Sequence, residues 1–294
     1  MPAFAGMTFS SSRRKPGPSV CDLSMTLPET RNLLLALDKG VLHVTFNRPD
    51  NRNALSVALL GDIVAVFDAI KDDREVRAVV LRGAGGNFCA GGDIKDMAAV
   101  RMAQNKAGDG DDPAAAYNRK FGVFLRKVNE APQATLAICE GAVLGGGFGL
   151  ACVADVAFAH VDASFGLPET GLGIVPAQIA PFVVQRIGLS QARRLGVCGG
   201  RFKGEEARRL GIVHEVFRDE AGLKALLDET LKQVIRCAPN ANAVTTELML
   251  KVGQVELDPL LDYAAKRFSE AVRGPEGAEG TAAFIEKRLP KWAQ

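Results

Sequence analysis

The sequence predicts a mixed α/β fold in which strand-strand-helix units repeat and an all-helical region follows. Three observations predict this fold class. Short β-branched runs occur in pairs before segments with helical spacing of apolar residues. Two glycine-rich segments each stand between a predicted strand and a predicted helix. From Ala221 onward the apolar residues recur at helical spacing only. This order differs from the strict strand-helix alternation that gives a doubly wound sheet.

The first unit is predicted over residues 33–81. The apolar runs 33–37 and 41–46 flank the tight turn Asp38-Lys39-Gly40, which is typical of a hairpin. Ser56 predicts the start of a helix, and the β-branched run 76–81 predicts a buried strand. The buried face of that helix is predicted from apolar residues at helical spacing: Leu59, Leu60, Ile63, Phe67 and Ile70.

The same order returns along the middle of the chain. The stretch 101–113 is polar and acidic and predicts a mobile loop. One face of the helix after it is predicted from Tyr117, Phe121, Leu125 and Val128. The remaining elements are predicted as strands over 135–138, 156–159 and 212–216, a short helix after residues 140–150, a helix capped by 188–190, and a helix from Gly204 to a C′ glycine at Gly211.

A chain of 294 residues can form one large domain with an appendage, or two modest domains. We divide it into a tail over 1–24, a core of strand-strand-helix units over 25–220, and a helical region over 221–294 that we expect to form an oligomer contact. The tail has a basic, proline-broken stretch with no apolar segment after it, so it does not predict a secretory signal. We expect the tail to be disordered, with Met25 as the functional start.

Composition excludes several kinds of partner. A net charge of +2 gives no strong positive field that would attract nucleic acid. No apolar run is long enough to predict a membrane span. The six cysteines contain no C-x-x-C pair and no metal-ligand spacing. Several lie in apolar runs, where a thiol behaves as a small hydrophobe, so a reducing cytoplasm is expected.

Two glycine-bearing segments could expose backbone N–H groups. Segment 88–95 (FCAGGDIK) follows a strand and precedes a helix, whose start adds a partial positive charge. Segment 140–150 (EGAVLGGGFGL) occupies a similar place. It lacks the Lys-Ser/Thr pair of a phosphate loop and the acidic residue of the dinucleotide fingerprint. Either segment taken alone is better explained as a plain glycine turn.

Glu169 lies in an apolar stretch, 165–169 (FGLPE), with no lysine or arginine nearby. A carboxyl there would lose hydration, which raises its pKa toward the range that general acid–base catalysis needs. The alternative is an ordinary exposed loop glutamate.

Together these segments resemble the enoyl-CoA hydratase/isomerase (crotonase) family over roughly residues 32–294. The resemblance rests on 46–56 (FNRPDNRNALS), 88–94, 144–147 (LGGG), 165–169 and the ending 279–288 (EGTAAFIEKR). It implies a crotonase-type spiral of ββα units with a C-terminal helical region that forms trimers. Such trimers usually pair into hexamers. It implies no metal and no redox cofactor, because coenzyme A enters as part of the substrate.

Matching motif to motif, the resemblance implies that Gly92 and Gly146 donate to the thioester oxygen and that Glu169 is the second of the two catalytic glutamates of classical hydratases, which would orient or deprotonate the water and return a proton to C2. The family's other glutamate would fall at Gly149 and is absent here. The CoA-binding positions would be Asn51, Arg52, Ala54, Ala90, Gly91, Asp93 and Ile94. Lys95 and Arg186 are interpreted as CoA or surface contacts, and Glu140 as structural.

The implied activity is addition of water across the C2=C3 bond of an enoyl-CoA. Segments 143–151 and 173–186 are most similar to isohexenylglutaconyl-CoA hydratases, with methylglutaconyl-CoA hydratases next, so a branched substrate is expected. Three alternatives remain open at this point: a double-bond isomerase, a CoA-thioester hydrolase, and a catalytically silent acyl-CoA-binding protein. No nucleic-acid or membrane partner is expected.

Overall fold

The computed structural model describes residues 27–106, 108 and 112–294. The predicted tail, Met25 and part of the predicted mobile loop lie outside these residues. The strands are β1 (Leu33–Asp38), β2 (Val41–Phe46), β3 (Ala78–Gly83), β4 (Ala134–Cys139), β5 (Ala142–Leu144), β6 (Val156–His160), β7 (Ser164–Gly166), β8 (Arg201–Phe202) and β9 (Glu215–Phe217). The helices are α1 (Val57–Ile70), α2 (Ile94–Gln104), α3 (Pro113–Asn129), α4 (Gly146–Val153), α5 (Ala180–Cys198), α6 (Gly204–Arg209), α7 (Glu220–Arg236), α8 (Pro239–Lys251), α9 (Leu257–Arg273) and α10 (Pro275–Ile285).

Two sheets run through the core. The larger has strand order β1-β2-β3-β4-β6-β9, and the smaller has β5-β7-β8. Strand β1 is antiparallel to β2, and from β2 to β9 the neighbours are parallel. The units β1-β2-α1, β4-β5-α4 and β6-β7-α5 confirm the predicted strand-strand-helix repeat, and α7 to α10 confirm the C-terminal helices.

The larger sheet is covered on both faces, as parallel sheets usually are. Alternate residues of β3 point to opposite sides: Val79 and Leu81 join the main core with α1 and α3, whereas Val80 packs with Leu223 of α7. Helix α7 therefore belongs to the packing of the sheet, although it lies beyond the predicted boundary at residue 220.

Local signals that the sequence predicted are present at the first hairpin and helix. Lys39 and Gly40 have φ values of 47° and 76°, as a type I′ turn requires. The Ser56 hydroxyl accepts from the backbone N–H of Leu59 at 3.2 Å and caps α1.

Three boundaries were predicted wrongly. Helix α2 continues to Gln104, so the first part of the predicted loop 101–113 is helical. The helix assigned to 188–190 starts earlier, at Ala180, and Gly188 (φ 74°) is a break within it. The last strand is Glu215–Phe217 rather than 212–216, because the N–H of Ile212 bonds back to Ala207 while β9 pairs with β6.

Burial explains the chemistry of the core thiols. Cys89, Cys139 and Cys152 are buried free cysteines, whereas Cys198 and Cys237 are exposed. Loss of hydration raises the pKa of the Cys89 thiol to about 12, so it remains a neutral hydrophobe. Within the described ranges, no helix is long and apolar enough to cross a bilayer.

Candidate active site

The two glycine-bearing segments meet in space. Their backbones are joined by hydrogen bonds from Cys89 N to Ala142 O (2.8 Å) and from Leu144 N to Cys89 O (3.0 Å). The bends that follow touch, since a Cβ placed on Gly91 would lie 3.2 Å from Leu144 O and 3.9 Å from the Cα of Gly145. Gly91 and Gly145 have φ values of 98° and 51°, which strongly favour glycine.

The N–H groups of Gly92 and Gly146 are both available to a ligand. Leu55 N bonds to Gly91 O (2.8 Å) and Asp93 N bonds to Leu55 O (3.1 Å), so the N–H of Gly92 between them points away from this ladder. Gly146 is the first residue of α4 and has no intrahelical acceptor. No acceptor for either group occurs among the described residues. Both glycines line one cavity of about 110 Å³, here called the inner cavity.

Glu169 lies beside these two donors. It begins the short 3-10 helix Glu169–Leu172 after β7 and lines the inner cavity with Gly92 and Gly146. A Cβ on Gly145 would lie 2.7 Å from Glu169 Oε1, so the missing side chain at residue 145 makes room for the carboxyl group. Glu169 Oε2 is buried and has no hydrogen-bond partner within the described part of the chain.

Burial also sets the protonation of Glu169. Loss of hydration raises the pKa of its carboxyl group, and a hydrogen bond from its own backbone N–H lowers it by less. The direction agrees with the sequence prediction. A carboxylate with a raised pKa is a stronger base, which suits it to accept a proton from water or substrate.

A larger cavity, here called the outer cavity, adjoins the inner one and has a volume of about 600 Å³. The two cavities share Gly92, Met97, Glu169 and Ile174. All seven positions predicted to bind coenzyme A line the outer cavity: Asn51, Arg52, Ala54, Ala90, Gly91, Asp93 and Ile94. Lys95 and Arg201 join Arg52 there, which provides three cationic side chains suited to phosphate groups.

Asp93 has a structural contact in addition to its place at the outer cavity. Its Oδ1 accepts from Lys95 N at 2.9 Å and caps α2, and its Oδ2 pairs with Arg48 Nη2 at 2.8 Å. Although burial opposes ionisation, the hydrogen bonds from Arg48 and Lys95 hold the pKa of Asp93 below its ordinary value.

Asn53 braces the loop that carries the predicted CoA contacts, and sequence reasoning gave it no role. It is fully buried. Its Oδ1 accepts from Arg48 N at 2.9 Å, and its Nδ2 donates to the carbonyl oxygens of Ala84 (2.9 Å) and Asn87 (2.6 Å). These bonds fix the loop against the segment that leads to Gly91 and Gly92.

Gly149, where the family's other glutamate would fall, has no free space beside it. A Cβ there would lie 2.5 Å from Ile179 Cγ2 and 3.4 Å from Leu125 Cδ1. The volume of the missing side chain is therefore occupied by aliphatic carbon from the segment before α5. Glu169 is the one acidic side chain that lines the inner cavity among the described residues.

Sequence reasoning missed part of the inner cavity wall. Tyr117 and Phe121 were predicted only as a packing face of a helix, and Asn118, Gln178 and Ile179 received no role; all five line this cavity. Helical periodicity identifies the apolar face of α3, but it does not show that the face borders a cavity.

Two charged residues considered earlier lie elsewhere. Glu140 forms a two-point ion pair with Arg82, at 2.7 and 2.8 Å, and does not line either cavity, in agreement with a structural role. Arg186 was interpreted as a CoA or surface contact; it is partly exposed and lines neither cavity, so it does not lie among the predicted CoA contacts. Its guanidinium donates to the carbonyl oxygens of Ala154, Gly211 and Ile212 and thereby joins α5 to the end of α4 and to the segment after α6.

Two backbone donors beside a buried carboxyl group are suited to a reaction in which charge develops on a carbonyl oxygen while a proton moves nearby. An adjoining cavity with cationic residues is suited to a phosphate-bearing carrier. The fold and the site thus define a class of enzymes that act on an acyl group at the carbon atoms next to its carbonyl.

Comparisons with known proteins give the family. A family model described as enoyl-CoA hydratase/isomerase matches residues 36–294. AtuE of Pseudomonas aeruginosa is 58% identical, with a TM-score of 0.86 over 90% of this chain and 100% of that chain. The short-chain-enoyl-CoA hydratase of Clostridium acetobutylicum is 30% identical over 266 residues, or 88% of this chain and 97% of that protein. The mevalonyl-coenzyme A hydratase SIDH of Beauveria bassiana is 32% identical over 297 residues, which cover 97% of this chain and 98% of that protein. The chain belongs to the enoyl-CoA hydratase/isomerase family and has the crotonase fold.

Proposed function

We propose that the protein is an enoyl-CoA hydratase that adds water across the C2=C3 bond of a branched, glutaconyl-type enoyl-CoA. The observation that carries the proposal is the junction of the two cavities, where Gly92 and Glu169 line both cavities and Gly146 lines the inner one. A thioester carbonyl at this junction would place the acyl group in the inner cavity and coenzyme A in the outer one.

The reaction has two steps: water adds at C3 to give an enolate, and the enolate is then protonated at C2. The water oxygen forms a bond to C3, and the π electrons of C2=C3 shift to give an enolate on the thioester oxygen. The N–H groups of Gly92 and Gly146 hold that oxygen, a contribution typically worth about 10²–10³ in rate for each donor. Glu169 takes a proton from the water and delivers it to C2, which restores the thioester carbonyl.

The branched substrate rests on two further points. One relative is named as a mevalonyl-coenzyme A hydratase. Beyond Glu169, the inner cavity carries Asn118 and Gln178, whose amide side chains can donate hydrogen bonds to a distal carboxylate. The proposal includes no metal and no redox cofactor, because the backbone donors and Glu169 suffice for this chemistry. We further propose a cytoplasmic trimer or hexamer assembled through the C-terminal helices.

A panel of thioesters tests the substrate class. With crotonyl-, 3-methylglutaconyl- and isohexenylglutaconyl-CoA, we expect kcat/KM for at least one glutaconyl ester to exceed that for crotonyl-CoA about tenfold or more, since polar cavity groups reward a polar substrate. Loss of absorbance of the conjugated thioester measures hydration. A preference for crotonyl-CoA would refute the branched substrate and leave the hydratase in place.

A double-bond isomerase is the second candidate. The observation in its favour is the aliphatic filling at Gly149, because a single carboxylate is enough to move one proton from C2 to C4 when a 3-enoyl-CoA becomes a 2-enoyl-CoA. Incubation of a 3-enoyl-CoA with the protein distinguishes the two. An isomerase accumulates the conjugated 2-enoyl-CoA, whereas a hydratase converts a supplied 2-enoyl-CoA to the 3-hydroxyacyl-CoA.

The pH profile of kcat/KM reports Glu169. Because the base must be ionised and burial raises its pKa, we expect the rate to fall with decreasing pH through an apparent pKa above 4.5, the ordinary glutamate value. Circular dichroism at each pH separates loss of activity from unfolding. A folded enzyme whose kcat/KM stays constant down to pH 4.5 would contradict this environment for Glu169.

A further inference from the structure

Tyr117 has a buried hydroxyl group that nothing in the described part of the chain binds. The residue lies on α3, and its side chain lines the inner cavity together with Gly92, Gly146 and Glu169. A buried hydroxyl without a partner costs about 1–3 kcal/mol of stability. Such a cost is common at sites where a ligand or a water molecule supplies the missing bond.

The position of Tyr117 is tied to the two backbone donors through one aromatic ring. Phe121, one turn further along α3, lies under both donor glycines: a Cβ on Gly92 would be 3.8 Å from its ring, and a Cβ on Gly146 would be 3.7 Å from it. Tyr117 packs edge-on against Phe121, with ring centroids 5.3 Å apart and an interplanar angle of 71°. The hydroxyl is thus held near the reacting groups by packing alone.

The inner cavity also has a second unpartnered polar atom, Glu169 Oε2. With an aliphatic contact at Gly149, the cavity offers no second carboxylate among the described residues to hold a water molecule. The inner cavity, with a volume of about 110 Å³, is large enough to accommodate a water molecule.

We propose that the Tyr117 hydroxyl and the Glu169 carboxylate together hold the water molecule that attacks C3. This inference rests on the proposed hydratase function and names the group that takes the place of the absent glutamate. The water donates one hydrogen bond to the Tyr117 oxygen and one to Glu169, which leaves an oxygen lone pair facing C3. Glu169 alone accepts and returns the proton, and Tyr117 stays neutral throughout.

The electrostatics of Tyr117 agree with a neutral positioning group. Burial, together with the negative charges of Asp96 and Asp93, raises the pKa of its hydroxyl to about 12. The group therefore remains protonated near neutral pH, and it cannot act as the base there.

The test separates water addition from proton transfer. In Tyr117→Phe we expect the kcat for hydration to fall about 10- to 100-fold, the effect of one lost hydrogen bond to a reacting group. Exchange of the C2 protons of butyryl-CoA with D₂O, followed by NMR, should keep its wild-type rate, because this reaction needs the amide donors and Glu169 but no attacking water. Thermal unfolding should show a stability equal to or above that of the wild type, since an unpartnered hydroxyl is removed.

The control variant is Tyr263→Phe, at the other of the chain's two tyrosines. Its hydroxyl donates to Glu247 in the C-terminal helices, 2.5 Å away, and it should hydrate at the wild-type rate. If Tyr117→Phe hydrates as fast as the wild type, or loses hydration and exchange equally, the inference about Tyr117 is overturned and the hydratase stands. If the wild-type protein exchanges C2 protons but hydrates no enoyl-CoA, the proposed function fails and the water site fails with it.

Discussion

Replacement of Glu169 by glutamine is expected to remove most enoyl-CoA hydration while CoA-ester binding survives. Glutamine has nearly the same shape but cannot accept the proton of water, so kcat should fall about 10²- to 10⁴-fold. Glu169 Oε2 has no protein partner in the described ranges, so the exchange of oxygen for an amide nitrogen breaks no internal hydrogen bond. Isothermal titration with a saturated acyl-CoA should give a Kd near that of the wild type.

Glu140→Gln is the matched control for this variant. The substitution is the same, and Glu140 lies close in sequence to the donor Gly146. Its carboxylate, however, forms an ion pair with Arg82. We expect Glu140→Gln to lose stability and to keep the catalytic rate of the fraction that folds. Full hydration activity in Glu169→Gln, or a matching loss in Glu140→Gln, would show that the base lies elsewhere.

Much of the site could be predicted because short, local sequence patterns indicate its functional groups. A backbone donor needs a glycine-bearing bend after a strand and before a helix, and the neighbourhoods of Gly92 and Gly146 both have that local pattern. Glu169 was recognisable because its neighbours in sequence are apolar, so that burial of its carboxyl could be foreseen. Ser56 was recognisable in the same way, from its place before an apolar periodic run.

What the sequence did not reveal depends on contacts between distant segments. Ile179 meets Gly149 only after α5 has been folded onto α4, and no local pattern reports that meeting. The sequence did not show that Arg186 would bind three carbonyl oxygens from other elements, because a basic residue in a helix usually faces water. Tyr117 has the spacing of a core residue, and only the cavity beside it distinguishes its hydroxyl from that of an ordinary core tyrosine.

Introduction of the family's missing carboxylate by Gly149→Glu is expected to destabilise the protein by about 3–5 kcal/mol, from overpacking and from burial of a polar side chain without a partner. The first added carbon would already lie 2.5 Å from Ile179 Cγ2 and 2.9 Å from Ile179 Cβ. Urea denaturation followed by circular dichroism measures the change, at one fixed protein concentration because the apparent stability of a protein that self-associates depends on concentration.

Gly61→Glu is the control, because it makes the same substitution within α1 at an exposed position where an added Cβ meets nothing within 4 Å. That variant should be neutral or up to about 1 kcal/mol more stable, since glycine is a poor helix former.

A double-mutant cycle with Ile179→Gly tests whether contact with Ile179 causes the destabilisation by Gly149→Glu, because Ile179→Gly removes both clashing carbons. If Ile179 fills the carboxylate position, the double variant should be more stable than the sum of the single effects by at least about 1 kcal/mol. Additive effects would mean that the two positions do not compete for the same space, and the single-carboxylate site would then need another explanation than the packing of Ile179.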